Sequence, residues 1–275
     1  MNIDAHQHFW QYNSQEYGWI GGRMMLKRDF LPADLRPLQQ AIGITGAVAV
    51  QARQTIEETR WLLELADAYP FIKGVVGWVE LRSPHLRAQL DRFIDHPKFC
   101  GVRHIVHDEI DDRFMLRPDV LHGIAMLNEF GLTYDLLLFP KHLPVACELV
   151  NRFPEQPFVL DHIAKPRIKD GLLEPWATDI VKLAQFPNVC CKVSGMVTEA
   201  DWQAWTPDDF TPFLDTVFEA FGANRLMIGS DWPVCTVAGK YSAVMQVVFD
   251  YVEKCSSSEQ QAVLGGTAAQ FYGLE

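Results

Sequence analysis

The chain opens Met1-Asn-Ile-Asp-Ala-His-Gln-His-Phe-Trp10, an apolar run ending in two histidines one residue apart. On a strand, residues i and i+2 point to the same face, so His6 and His8 look the same way from the strand's C-terminal end. Near the far end of the chain, Leu226-Met-Ile-Gly-Ser-Asp-Trp-Pro233 repeats the layout with Asp231 at its tip. Two imidazoles and so distant a carboxylate form one site only if the chain closes on itself.

The segments between them supply the means of closure. Short apolar runs rich in β-branched residues predict eight strands, at 2–9, 44–52, 72–79, 100–106, 132–139, 158–162, 189–193 and 226–230. Amphipathic segments alternate with them; Trp61, Leu62, Leu65 and Ala66 mark a helix over 56–68. Further helices are predicted at 86–94, 119–130, 144–153, 177–186 and 210–221, with the last ones in 241–275. Ser83-Pro84 and Thr206-Pro207-Asp208-Asp209 read as helix starts. The strands are near-continuously apolar, as suits a parallel sheet buried on both faces. Eight strand–helix units predict one α/β domain over 1–275, a single-domain (β/α)8 TIM barrel. An open doubly wound sheet is the alternative, but no Gly-x-Gly-x-x-Gly turn follows any strand.

Composition narrows the function. Apolar residues make up 48% of 275, enough for a large core, and the net charge of −11 argues against a nucleic-acid or anionic-membrane partner. No apolar run reaches the roughly 18 residues of a spanning helix. No signal-like segment opens the chain, and the six cysteines show no C-x-x-C or framework spacing. A cytoplasmic protein with reduced thiols is expected.

Barrel enzymes gather functional side chains where strands end. Strand 1 ends with His6 and His8, strand 2 with Gln51, and strand 4 with Arg103, His104 and then His107. Strand 5 carries Asp135. Strand 6 runs into Leu160-Asp-His-Ile-Ala-Lys-Pro166, strand 7 into Lys192-Val-Ser194, and strand 8 into Asp231 and Trp232. Buried charges at apolar strand ends are costly unless paired or used.

Each has a plainer reading. For Arg103 it is a barrel-rim ion pair with Asp135 or Asp231, the lesser of its two readings; alternation turns His104 away from Arg103, so packing stands beside catalysis there. Asp161 alternates with His162 and reads as structural. Lys192 shares a face with Ser194. Trp202 and Trp205 form either a lid or helix-packing anchors.

The set His6-Gln-His8, Leu160-Asp-His162-Ile-Ala-Lys-Pro166 and Gly229-Ser-Asp231-Trp-Pro233 resembles the amidohydrolase superfamily. Gly101-Val-Arg-His104, Cys191-Lys-Val-Ser-Gly195 and Thr267-Ala-Ala-Gln-Phe-Tyr272 extend the likeness over residues 3–273, within the branch that holds sugar-lactone and dicarboxylate-lactone hydrolases. The strip Ser194-Gly-Met-Val-Thr-Glu-Ala-Asp-Trp202 resembles its sugar-lactonase members. The resemblance implies opening of a small sugar lactone, such as L-fucono- or L-rhamnonolactone, by water. It also implies a distorted TIM barrel of the metal-dependent-hydrolase type, with Asp231 as general base and with Arg103, or a histidine of the group His6, His8 and His162, polarising the carbonyl. Gln51, His104, Asp135, Lys165, Lys192, Ser194 and Trp232 would bind substrate.

His6, His8, His162 and Asp231 also match the donor set of one divalent cation such as zinc. Metal-free catalysis, known in this branch, stands beside it. Strands 4 and 5 lack the bridging lysine or glutamate of binuclear members, which disfavours a phosphotriesterase-type centre. The rivals are a metal-dependent decarboxylase and a dicarboxylate-lactone hydrolase of the same superfamily, and a non-catalytic ligand-binding barrel. The last is weakened because all four site residues are present.

Overall fold

The structure is a computed structural model that describes residues 1–275. Eight parallel strands stand in chain order: β1 (Ile3–Gln7), β2 (Gly46–Val50), β3 (Ile72–Gly77), β4 (Phe99–His104), β5 (Thr133–Leu136), β6 (Phe158–Leu160), β7 (Val189–Val193) and β8 (Leu226–Ile228). The last strand returns to the first. Gln7 bridges Trp232 in parallel, His8 N–H donates to the Trp232 carbonyl at 2.7 Å, and Asp231 N–H donates to the His6 carbonyl at 2.8 Å. The closing hydrogen bonds therefore involve the very residues that made closure necessary.

Ten α-helices surround the strands: α1 (Pro32–Ala41), α2 (Ile56–Ala68), α3 (Leu86–Leu90), α4 (Pro118–Glu129), α5 (Leu143–Arg152), α6 (Trp176–Ala184), α7 (Pro207–Phe221), α8 (Tyr241–Val252), α9 (Ser257–Gln261) and α10 (Thr267–Tyr272). Their starts follow local chemistry. Thr55 Oγ1 accepts the Glu58 N–H at 3.2 Å, and Asp209 accepts the Thr206 N–H at 2.6 Å just before Pro207. Most of the core lies between strands and helices. A smaller apolar cluster of Ile3, Ala5, Val48, Val50, Val76, Val159 and Met227 is closed by Ala268 and Tyr272 of α10.

The strand and helix expectations need correction: most strands end earlier than expected, that over 132–139 at Leu136. The helix expected over 86–94 stops at Leu90. Helix α1, with Pro37 inside it, escaped the periodicity reading. The strand expected over 158–162 ends at Leu160, because the chain turns left-handed from His162 onward. No helix is long and apolar enough to cross a membrane, and all six cysteines are free.

Candidate active site

The strand ends converge on one point. His6 Nε2 lies 3.2 Å from His8 Nε2, and Asp231 Oδ1 lies 4.0, 3.3 and 3.8 Å from the Nε2 atoms of His6, His8 and His162. All four side chains are buried. The other ring nitrogens are held. His8 Nδ1 faces the Val50 carbonyl at 2.8 Å; a carbonyl only accepts, so Nδ1 carries a proton and the ring is held with Nε2 pointing inward. His162 Nδ1 meets Ser194 Oγ at 2.8 Å, and His6 Nδ1 lies 3.3 Å from Asp161. Burial holds His6 and His162 well below the ordinary histidine value, hence neutral. Burial also acts to raise the Asp231 carboxyl, but His162, His8 and Lys165 outweigh it and hold the group below its usual value. Three imidazoles and a carboxylate around one point fit a divalent cation with an open position; His6, His8 and Asp231 already have ligand atoms within 4.8 Å of one another.

Asp231 itself adopts φ +56°. Behind it, Asp4 accepts Ser230 N–H at 2.9 Å, Ser230 Oγ–H at 2.6 Å and Tyr241 Oη–H at 3.1 Å, which fixes the end of β8.

Arg103 stands beside His6. One Nη donates to Asp161 at 3.0 Å and faces His6 Nε2 at 3.2 Å; the other donates to the carbonyl of Gln51 and to its Oε1. Only Nε–H lacks a partner. The alternative reading, an ion pair with Asp135 or Asp231, is not what forms: the partner is Asp161, although Arg103 and Asp135 are register partners across β4 and β5. Asp135 instead meets Lys192 at 2.5 Å and accepts from Tyr272 of α10 at 2.9 Å. Lys192 also reaches Asp161 at 3.0 Å and His6 Nδ1 at 3.2 Å. Although burial opposes its charge, Asp135 and Asp161 raise the Lys192 pKa. Asp135 and Lys192 come from alternate strands, as one layer of a packed barrel requires.

Above this floor opens a cavity of about 380 Å³, at the lower end of the range that holds a small molecule. His8, Arg103, His162, Lys165 and Asp231 line it. The remaining residues expected to bind substrate lie elsewhere. Gln51 clamps Arg103, Ser194 orients His162, and Asp135 and Lys192 are buried under the floor. Trp232 packs edge-on against Phe9 and Phe30. His104 turns away, bonded to Glu109 at 2.7 Å and stacked on Phe114. Alternation along β4 correctly separates His104 from Arg103. It fails for Asp161, which reaches His6, Arg103 and Lys192, because strand geometry has ended at Leu160.

Several lining residues escaped the sequence reading: Trp19 and Arg23 from the long segment after β1, Asp108 after β4, Phe139 after β5 and Glu199 after β7. The length of segment 8–31 was a usable signal, since long ordered loops in compact domains are commonly functional. His107 also faces the cavity, stacked on Phe139 at 4.7 Å. Burial first, then Lys165 and Arg103, push its pKa down to about 3, so it is neutral. Of the two tryptophans, Trp202 lines the cavity, whereas Trp205 donates to Ala238 and packs on Phe210 as a helix anchor.

The turn after β6 is strained. His162, Ile163, Ala164 and Lys165 have φ of 54°, 47°, 60° and 51°, and none is glycine. Left-handed backbone costs an L-residue roughly 1–2 kcal/mol, hence on the order of 4–8 kcal/mol for four. Such strain persists only where the surroundings over-determine it, and it clusters at functional sites. Here it brings His162 and Lys165 to the same cavity; Lys165 Nζ pairs with Glu199 at 2.7 Å across to the segment after β7.

A family model described as amidohydrolase matches residues 3–274. The chain is 41% identical over 286 aligned residues to an L-fucono-1,5-lactonase of Burkholderia multivorans, covering all of this chain and 96% of that protein. It is 38% identical to an L-fucono-1,5-lactonase of Burkholderia ambifaria, with the same coverage. Among solved structures, a Burkholderia multivorans amidohydrolase with bound zinc superposes at TM-score 0.97, with 40% identity and full coverage of both chains.

Proposed function

The chain belongs to the amidohydrolase family, and we propose on that premise that it is a sugar-lactone hydrolase whose substrate is L-fucono-1,5-lactone. The observation that carries the chemistry is the meeting of His6, His8, His162 and Asp231 at one buried point below a polar cavity. The substrate follows from the two lactonase relatives.

Hydrolysis needs a water, a base and a polarised carbonyl. Asp231, ionised and immobilised, takes a proton from the water as its oxygen bonds the lactone carbonyl carbon. Collapse of the tetrahedral intermediate breaks the ring C–O bond, and the proton on Asp231 passes to the leaving alkoxide. The product is a hydroxy acid that ionises at neutral pH. Arg103 is a fixed positive charge in the cavity wall; with four N–H groups engaged it contributes by field rather than by reaching out. Lys165 spends one ammonium proton on Glu199 and has two more for substrate oxygens.

His6, His8, His162 and Asp231 would hold one zinc ion, which supplies Lewis acidity and draws the pKa of a water toward neutrality. The deciding experiment is a pH-indicator screen of aldonolactones with metal-replete and chelator-treated protein, alongside metal analysis. Rapid opening of L-fucono-1,5-lactone is expected. Failure of the metal-replete protein to open any aldonolactone would end this reading.

A further inference from the structure

The four-residue left-handed turn at the mouth of β6 has an outside support. Within it, Lys165 N–H donates to the His162 carbonyl at 2.8 Å, and the His162 ring meets Ser194. Between these, the carbonyl of fully buried Ile163 accepts the indole N–H of Trp176 at 2.7 Å. Trp176 is the first residue of α6, outside the barrel, buried against Phe213 of α7 with ring centroids 5.3 Å apart. It does not line the cavity.

Ile163 is the residue least suited to such a backbone, because β-branched side chains are rarely found at positive φ. Its carbonyl would be a buried, unsatisfied acceptor without the indole, and that is costly. The indole thus stabilises the left-handed geometry where the side chains favour it least. In a tight turn, residues three apart share a face, which is how His162 and Lys165 come to look into the cavity together.

We infer that Trp176 is a positioning residue for the hydrolytic site: its N–H holds the Ile163 carbonyl and thereby sets His162 and Lys165 against Asp231 and the substrate. The inference rests on the proposed hydrolysis for its kinetic consequence but not for its structural one. Loss of the bond frees the turn to relax toward right-handed backbone, drawing His162 from Ser194 and Lys165 from Glu199. Lys165 loses part of its hold on substrate, but binding by the rest of the cavity survives, so kcat falls by more than KM rises.

The test replaces Trp176 with benzothienylalanine, which keeps the bicyclic shape and puts sulfur in place of N–H, alongside Trp176→Phe. We expect kcat on L-fucono-1,5-lactone to fall at least fivefold in the isosteric protein with KM within threefold. The Lys165 amide should exchange with solvent at least tenfold faster, while the Val159 and Leu160 amides of β6 keep their protection. A smaller loss of kcat, an unchanged Lys165 amide, or equal loss of protection along β6 overturns the inference. If Trp176→Phe does not fold, the isosteric protein still decides. If no lactone is turned over at all, the proposed function fails, while the Lys165 amide still reports on the turn.

Discussion

Replacing Gly195 by alanine tests how closely His162 must be held. Gly195 follows Ser194 at φ +61°, and a Cβ there would lie 2.5 Å from His162 Nδ1, 2.7 Å from Cγ and 3.0 Å from Cβ. Unstrained contacts begin near ~3.5 Å, so the imidazole must retreat by about 1 Å. That movement breaks its hydrogen bond to Ser194 and alters its 3.8 Å approach to Asp231. A catalytic group displaced by ~1 Å commonly costs about 100-fold in rate. Stability falls as well, by roughly 1–2 kcal/mol for an L-residue in left-handed backbone and about 1 kcal/mol for the lost hydrogen bond. Gly195→Ala is therefore expected to fold, with a denaturation free energy about 2–3 kcal/mol lower. Its kcat/KM on L-fucono-1,5-lactone should be down about 100-fold in the pH-indicator assay. A folded Gly195→Ala protein with turnover within threefold of the parent would refute the argument: either the ring has room to yield, or its position is not needed.

Asp231→Asn removes the proposed base and should cut kcat by two to four orders of magnitude, about 10²–10⁴, with the circular dichroism spectrum unchanged; near-parental kcat would exclude Asp231 from the chemistry. Lys192→Met leaves Asp135 and Asp161 buried without their shared cation, and chemical denaturation should show a loss of about 3–5 kcal/mol. A loss below about 1 kcal/mol would mean that water or protons replace the ammonium easily. Glu58, buried and accepting the N–H groups of Ala52 and Arg53, has its pKa raised by burial from 4.5 to about 7. The folded state then holds that proton more tightly than the unfolded one. Its contribution is fully present below pH 4.5 and is lost as pH rises to 7, by about 3 kcal/mol. Glu58→Gln should lose less stability than the parent between these pH values, and parallel curves would contradict the assignment.

Much of the barrel was legible because burial on both faces writes near-continuous apolar runs into parallel strands, and helical spacing survives between them. His6, His8 and Asp231 were legible as a site because closure of eight strands leaves their ends nowhere else to point. His162 joined them through its place after the sixth run. The functions of the polar residues around them were not legible. Asp161, read as structural, reaches His6 and Arg103, whereas Asp135 and Lys192, read as contacts for substrate, neutralise one another under the floor. Alternation decides only which face of a strand a residue takes. The depth of that residue in the barrel, and the charge opposite it, depend on stagger between strands far apart in sequence.

By itself, then, the sequence determined the architecture, the converging histidines and the late carboxylate, because periodicity and strand ends are local properties. Tertiary structure alone decided which cation meets which carboxylate, that Ser194 and Gly195 shape the place of His162, and that the chain after Leu160 turns left-handed with no glycine to announce it. The physical reason is that such a turn costs free energy locally. Only partners from other elements, among them the Trp176 indole and the Ser194 hydroxyl, make it the stable choice.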